Sequence, residues 1–187
     1  MLMTGTFRIR QASLQDADAI AEIYAHYVLN SSATCETTPP DTAESQRRMT
    51  EYMRGGYPFL VSYEEAADGS QRIVAFGFAS RYGPRSGYQY SVQTTIYVRH
   101  DSVGQGIGSG LLAELLNQCE ARGYRQAFAV IAASEPASVV LHARAGFFPV
   151  GTLASAAWKN GQWLDIFLMQ RKLGEGGDSQ PEAIAAA

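Results

Sequence analysis

The sequence predicts an α/β domain of the α+β kind, with elements in the order β-α-α-β-β-β-α-β-α-β-β. Three observations carry that expectation. A glycine-dense turn, Val103-Gly104-Gln105-Gly106-Ile107-Gly108-Ser109-Gly110, lies between a β-branched run and an apolar stripe of helical spacing. Helix-starting residues and glycine-bearing turns punctuate the rest of the chain at element-length intervals. Finally, 187 residues with 46% hydrophobic content supply one domain with a sizeable core, and no internal repeat suggests a second.

Each element has a local cause. Phe7 to Arg10 reads as a first strand. Ser13 followed by Asp16 resembles a capping box and opens a helix through Leu29, whose buried face is Ile20, Ile23, Tyr24, Tyr27 and Val28. Asp41 and Glu44 repeat the signal for a second helix, which Gly55-Gly56 ends. Phe59 to Tyr63 and Ile73 to Ser80 pair as strands about the turn Asp68-Gly69. A loop over Arg81 to Gly87 leads into a long strand, Tyr88 to Val98. After the glycine turn a helix runs to Gly123 on Ile107, Leu111, Leu112, Leu115, Leu116 and Cys119. Gln126 to Ile131 is an apolar strand, and Pro136 to Ala145 a short helix with proline in its first turn and Gly146 behind it. Phe147 to Leu153 and Trp163 to Arg171 close residues 1–173 as strands around Asn160-Gly161, leaving 174–187 as a disordered tail.

A glycine-rich turn that opens a helix exposes unpaired N–H groups at the positive end of the helix dipole, an arrangement suited to phosphate. No lysine follows the glycines as a Walker loop requires, and Ser109 or Leu111 stands where a dinucleotide fingerprint needs its third glycine. Glycines alone leave a flexible connection without a ligand equally open. The net charge of -3 and the lack of a basic run argue against a nucleic-acid or membrane partner. Cys35 and Cys119 lack metal-ligand spacing, so neither a metal site nor a disulfide framework is expected. With no signal pattern and no run of membrane-spanning length, a cytoplasmic protein is expected.

The element order and several segments together resemble the GNAT acetyltransferases across residues 7 to 172. Gly106-Ile107-Gly108 fits that family's pyrophosphate turn, Arg/Gln-x-x-Gly-x-Gly/Ala, with Val103 in place of the usual Arg or Gln. Within the family the chain is similar to the phosphinothricin and methionine sulfoximine N-acetyltransferase branch. The segments that carry this likeness are Ile23-Tyr24-Ala25-His26, Tyr97-Val98, Gly123-Tyr124-Arg125-Gln126, Leu141 to Phe147, and Lys159-Asn160-Gly161-Gln162-Trp163-Leu164-Asp165.

The resemblance implies a mixed, mostly antiparallel twisted sheet of about seven strands flanked by four helices, acetyl-CoA as co-substrate, a small-molecule amine as acceptor and a homodimer. It assigns Ile96, Tyr97 and Val98 to the acetyl and pantetheine groups, Gly104, Gln105, Gly106, Ile107, Gly108 and Ser109 to the pyrophosphate, and Glu135 to pantetheine in place of the branch's asparagine. Gln93 stands where the branch has a glutamate base, beside Thr94; an amide orients a proton donor but cannot accept a proton at neutral pH. Glu36, in the loop between the first two helices, is the substitute base this resemblance suggests; a solvated loop carboxylate is the alternative. His142 takes the place of a tyrosine that protonates the departing thiolate in many GNAT enzymes, or is a structural histidine; His26 lies near the Glu36 loop. Arg85 is the carboxylate-binding candidate, with Arg81 as its support because Gly83 replaces a second arginine, and Tyr82, Tyr88 and Trp163 wall the acceptor site. The function implied is direct N-acetyl transfer to an amino-acid-like amine. An acyl-CoA-binding module weakened by Gln93, or an acyltransferase acting on protein amino termini, are the alternatives.

Overall fold

Seven strands form one sheet in the order β1-β2-β3-β4-β5-β7-β6, in a computed structural model that describes residues 7–184. The strands are β1 (Arg8–Gln11), β2 (Phe59–Glu65), β3 (Gln71–Arg81), β4 (Ser91–Val98), β5 (Gln126–Ala132), β6 (Phe148–Lys159) and β7 (Gln162–Lys172). The helices are α1 (Ala17–Asn30), α2 (Thr42–Arg54), α3 (Ile107–Ala121) and α4 (Pro136–Arg144). Every ladder is antiparallel except β4 with β5, so the sheet is mixed in the way expected. Positions 1–6 of the expected domain and 185–187 of the expected tail lie outside the described residues.

The local causes read from sequence act as expected. The Ser13 amide donates to the Asp16 carboxylate and the Asp41 side chain accepts from the Glu44 amide, so each of the first two helical segments starts on a satisfied cap. Asn160 and Gly161, both at positive φ, turn β6 into β7. Cys119 is fully buried in the α3 core, and burial pushes its thiol up to about 12.

Two boundaries differ by three residues or more. The strand expected from Tyr88 begins at Ser91, because Ser86–Tyr88 form a 3-10 turn and the Tyr90 carbonyl accepts from the Arg125 and Gln126 amides. The strand expected to stop at Leu153 continues to Lys159, since register shifts between Pro149 and Gly151 and between Leu153 and Ala157 absorb the irregular stretch without ending the pairing.

Two cores flank the sheet. One joins α3 and α4 residues to Leu60, Val74, Val92 and Ala129; the other joins α1 and α2 residues to Phe59, Val61 and Phe76. Beyond Leu173 the chain folds back in turns, with Ile184 against the first core and Glu175 paired to Arg125.

Candidate active site

The β4–β5 pair is where the sheet opens. Ser91, Val92 and Gln93 pair with Gln126, Ala127 and Phe128, and there the ladder stops although both strands continue. The Thr94 hydroxyl donates to the Phe128 carbonyl at 3.3 Å and closes the crotch. Past it, strand alternation turns the backbone groups of Ile96 and Val98 into the gap, where they have no strand partner, although the Val98 carbonyl accepts from the Tyr27 hydroxyl. A cavity of about 720 Å³ occupies this gap and reaches both faces of the sheet.

On one face the cavity meets the N-terminus of α3. Gly104 and Gly106 sit at φ 80° and 82°, and a Cβ on either would meet open space. Glycine is required there by the left-handed backbone and not by crowding. The turn so formed aims the free amides of Ile107, Gly108 and Ser109 outward, since intrahelical bonding begins with the Gly110 amide to the Gly106 carbonyl. Gly104, Gly106, Ile107, Gly108 and Ser109 all line the cavity; Gln105 is exposed beside it.

On the other face the walls are the rings of Tyr24, Tyr52, Phe59, Phe76, Phe78 and Tyr97. Burial pushes the Tyr24 phenol up to about 12 and moves Tyr97 in the same direction. The loop that carries Glu36 is held over these rings. Tyr24 Oη and Thr34 Oγ1 share a hydrogen bond of 2.8 Å, Tyr97 Oη donates to the Ala33 carbonyl at 3.3 Å, and Lys159 Nζ donates to the Thr34 carbonyl at 2.8 Å. Lys159 is 2% exposed and has no carboxylate within ion-pair distance among the described residues; burial lowers its pKa. Its ammonium instead serves carbonyls, including that of Tyr27 near the C-terminal end of α1, where the helix dipole is negative.

Three titratable groups face the chemistry. Glu36 pairs with Arg48 at 2.7 Å, so one of its oxygens is already engaged. Glu135 is half-buried at the head of α4; its carboxylate makes no hydrogen bond or ion pair among the described residues, and burial raises its pKa against the pull of Lys159. His142 is 4% exposed and lines the cavity. Its Nδ1 lies 2.8 Å from the Ser138 carbonyl, which can only accept, so the proton sits on Nδ1. Nε2 is buried without a hydrogen-bond partner among the described residues, and burial lowers the imidazole pKa. At neutral pH this histidine therefore presents a lone pair on Nε2.

Of the residues singled out from sequence, Gln93, Thr94, Ile96, Tyr97, Val98, Glu36, Glu135 and His142 line this one cavity with the glycine turn. Tyr82, Arg85, Tyr88 and Trp163 do not. Tyr82 stacks on Phe128 at 3.9 Å and meets Tyr88 edge-on, on the closed side of the crotch, and Arg85 is exposed in the loop between them. Arg81 is exposed at the end of β3. Trp163 packs against Trp158 on the outer β6–β7 hairpin. His26 stacks on His100 at 4.1 Å, away from the cavity. Sequence reading did not find Arg48, Tyr52, Phe78 or Lys159. Arg48 lies on a helix with many charges, and nothing in its spacing separates it from Arg47.

The acetyltransferase (GNAT) domain model matches residues 9–168, nearly the whole of the described chain. The chain belongs to the GNAT acetyltransferases. It is 37% identical over 175 residues to a phosphinothricin N-acetyltransferase of Alcaligenes faecalis, covering 93% of this chain and 86% of that one. An L-methionine sulfoximine/L-methionine sulfone acetyltransferase of Pseudomonas aeruginosa is 34% identical over 165 residues, 88% of this chain and 94% of its own. The solved structure of a GNAT phosphinothricin acetyltransferase from Sinorhizobium meliloti in complex with AcCoA superposes with a TM-score of 0.88 at 38% identity, covering 95% and 94% of the two chains. This chain is thus a GNAT acetyltransferase, and its opened β4–β5 pair and glycine turn meet in the one cavity described above.

Proposed function

We propose that the enzyme acetylates the α-amine of a small amino-acid-like substrate by direct transfer, as the names of its relatives suggest. The observation that carries this reading is the single cavity that joins a free helix N-terminus, an unpaired strand edge and an aromatic compartment. In it the amides of Gly106 to Ser109 hold the pyrophosphate and Gly104 gives the turn its shape, with Gln105 at its rim. The backbone of Ile96 and Val98 pairs with the pantetheine arm as an added strand would, Tyr97 packs beneath it, and Glu135 accepts from one of its amides.

The amine enters from the aromatic side as the free base. Its nitrogen attacks the thioester carbonyl, the tetrahedral oxyanion collapses, and the carbon–sulfur bond breaks with the electron pair leaving on sulfur. One proton must leave nitrogen and one must reach the thiolate. His142 supplies both needs: Nε2 accepts the proton from nitrogen and, as imidazolium, returns it to sulfur. Gln93 and Thr94 orient the amine by hydrogen bonds, and Glu36, engaged with Arg48, shapes the compartment without acting as base.

We also propose a cytoplasmic homodimer. Phe148, Val150, Leu153, Trp158 and Trp163 are each more than half exposed along the β6–β7 hairpin, an apolar area that suits a second copy. Trp163 then walls a neighbouring acceptor site across that interface.

The test is thiol release from acetyl-CoA across amino acids, phosphinothricin and methionine sulfoximine between pH 6 and 10. Turnover should rise with pH as the free-base fraction of the α-amine grows. Tight acetyl-CoA binding without turnover of any amine would favour the binding-module reading that Gln93 motivates.

A further inference from the structure

We infer that the acceptor compartment selects amino acids with uncharged, apolar side chains and rejects those that carry a second anion. The inference rests on the acetyltransferase reading above and narrows its substrate class.

The walls are aromatic. Tyr52 stacks on Phe78 at 4.7 Å, Phe59 lies 5.0 Å from Phe78, and Tyr24 meets Tyr97 edge-on at 5.0 Å. Tyr24, Tyr52, Phe78 and Tyr97 are only partly buried, so part of their surface is left for a ligand. Such a surface gains by covering apolar or sulfur-bearing side chains.

The charges point the same way. Among the described residues lining the cavity the cations are Arg48 and Arg144, and Arg144 belongs to exposed α4 on the opposite face of the sheet. Arg48 is already spoken for: Nη1 donates to Glu36 at 2.7 Å and Nε to Glu44 at 2.8 Å. Glu44 is held by Arg47 as well, at 2.6 and 2.8 Å, so Arg47 and Arg48 are both already committed to carboxylates. A phosphinate or carboxylate side chain would lose its hydration there and find no unengaged cation in return. A sulfone, thioether or phenyl group carries no charge to desolvate. The two relatives' printed substrates fall on opposite sides of this line, since phosphinothricin bears a side-chain anion and methionine sulfone does not.

The experiment compares kcat/KM for acetylation of L-phosphinothricin, L-methionine sulfone and L-phenylalanine in the wild type and in Glu36→Gln. The neutral acceptors should exceed phosphinothricin by about tenfold or more. Glu36→Gln leaves Arg48 with one carboxylate and should narrow that ratio several-fold; taking ratios within each protein cancels any general loss of activity. Phosphinothricin equal to or better than the neutral acceptors in the wild type overturns the inference. If none of the three is acetylated although acetyl-CoA binds, the acetyltransferase reading fails separately. Calorimetric titration of the same three amino acids into the wild-type protein with CoA then reads the selectivity: the same order supports it, and tighter binding of phosphinothricin overturns it.

Discussion

The two halves of the cavity are built from different materials. The co-substrate half is backbone: two left-handed glycines, a helix N-terminus and a strand edge left open where β4 and β5 part. The acceptor half is side chain: rings from α1, α2, β2, β3 and β4 under a loop pinned by Tyr24, Tyr97 and Lys159. Backbone donors bind the same phosphate whatever side chains stand nearby, so Val103 in place of a polar residue matters little. Side-chain walls change with every substitution. One half should therefore be generic to acetyl-CoA and the other particular to this enzyme.

The largest expected effect lies where the halves meet. His142→Ala removes the proposed proton carrier and should lower kcat by about 10²–10⁴-fold, read by thiol release at saturating substrate. Because burial lowers the His142 pKa, its neutral form already dominates at pH 7. The same shift makes the folded protein lose stability as pH falls below the unfolded value near 6.5, down to the folded pKa, a loss absent from the variant. Gly106→Val forces a β-branched residue into a left-handed backbone, at a cost of about 1–2 kcal/mol or the loss of the turn. Acetyl-CoA affinity measured by calorimetry should weaken by about tenfold. Lys159→Met keeps the stem's volume but drops the bonds to the Thr34 and Tyr27 carbonyls. The acceptor KM should rise several-fold as the loop loosens.

Asp16 belongs to neither half and serves as the control. Burial opposes its charge, but bonds from Arg10 at 2.7 Å and from Ser13 outweigh that and lower its pKa. Asp16→Asn should cost about 1 kcal/mol in denaturant unfolding at pH 7 and leave both substrate constants unchanged. With a folded pKa below the unfolded value, that contribution is full above about pH 4 and fades as pH falls through the folded pKa, so the two stability curves should converge in acid.

This division also explains what was legible in the sequence. The glycine turn, the Ser13 and Asp41 caps and the Asn160-Gly161 hairpin are local, and each is written in adjacent residues. The assembly of Gln93, Glu36 and His142 around one cavity was foreseen only through family likeness, since long-range placement leaves no mark in spacing. Arg48 and Lys159 had no signal of their own. A lysine beside a strand turn reads as solvated, and it is the carbonyls of Thr34 and Tyr27, 125 and 132 residues away, that make its burial tolerable. Tyr82 and Tyr88, whose positions suggested pocket walls, stack instead over the closed crotch, because the 3-10 turn at Ser86–Tyr88 shortens β4 and folds the loop back.

The most direct test of the division is to measure acetyl-CoA affinity and acceptor KM side by side in Gly106→Val and Lys159→Met. Separable halves predict that the first variant weakens acetyl-CoA and keeps the acceptor KM, while the second does the reverse. If both constants move together in either variant, the cavity works as one coupled unit and the account is contradicted.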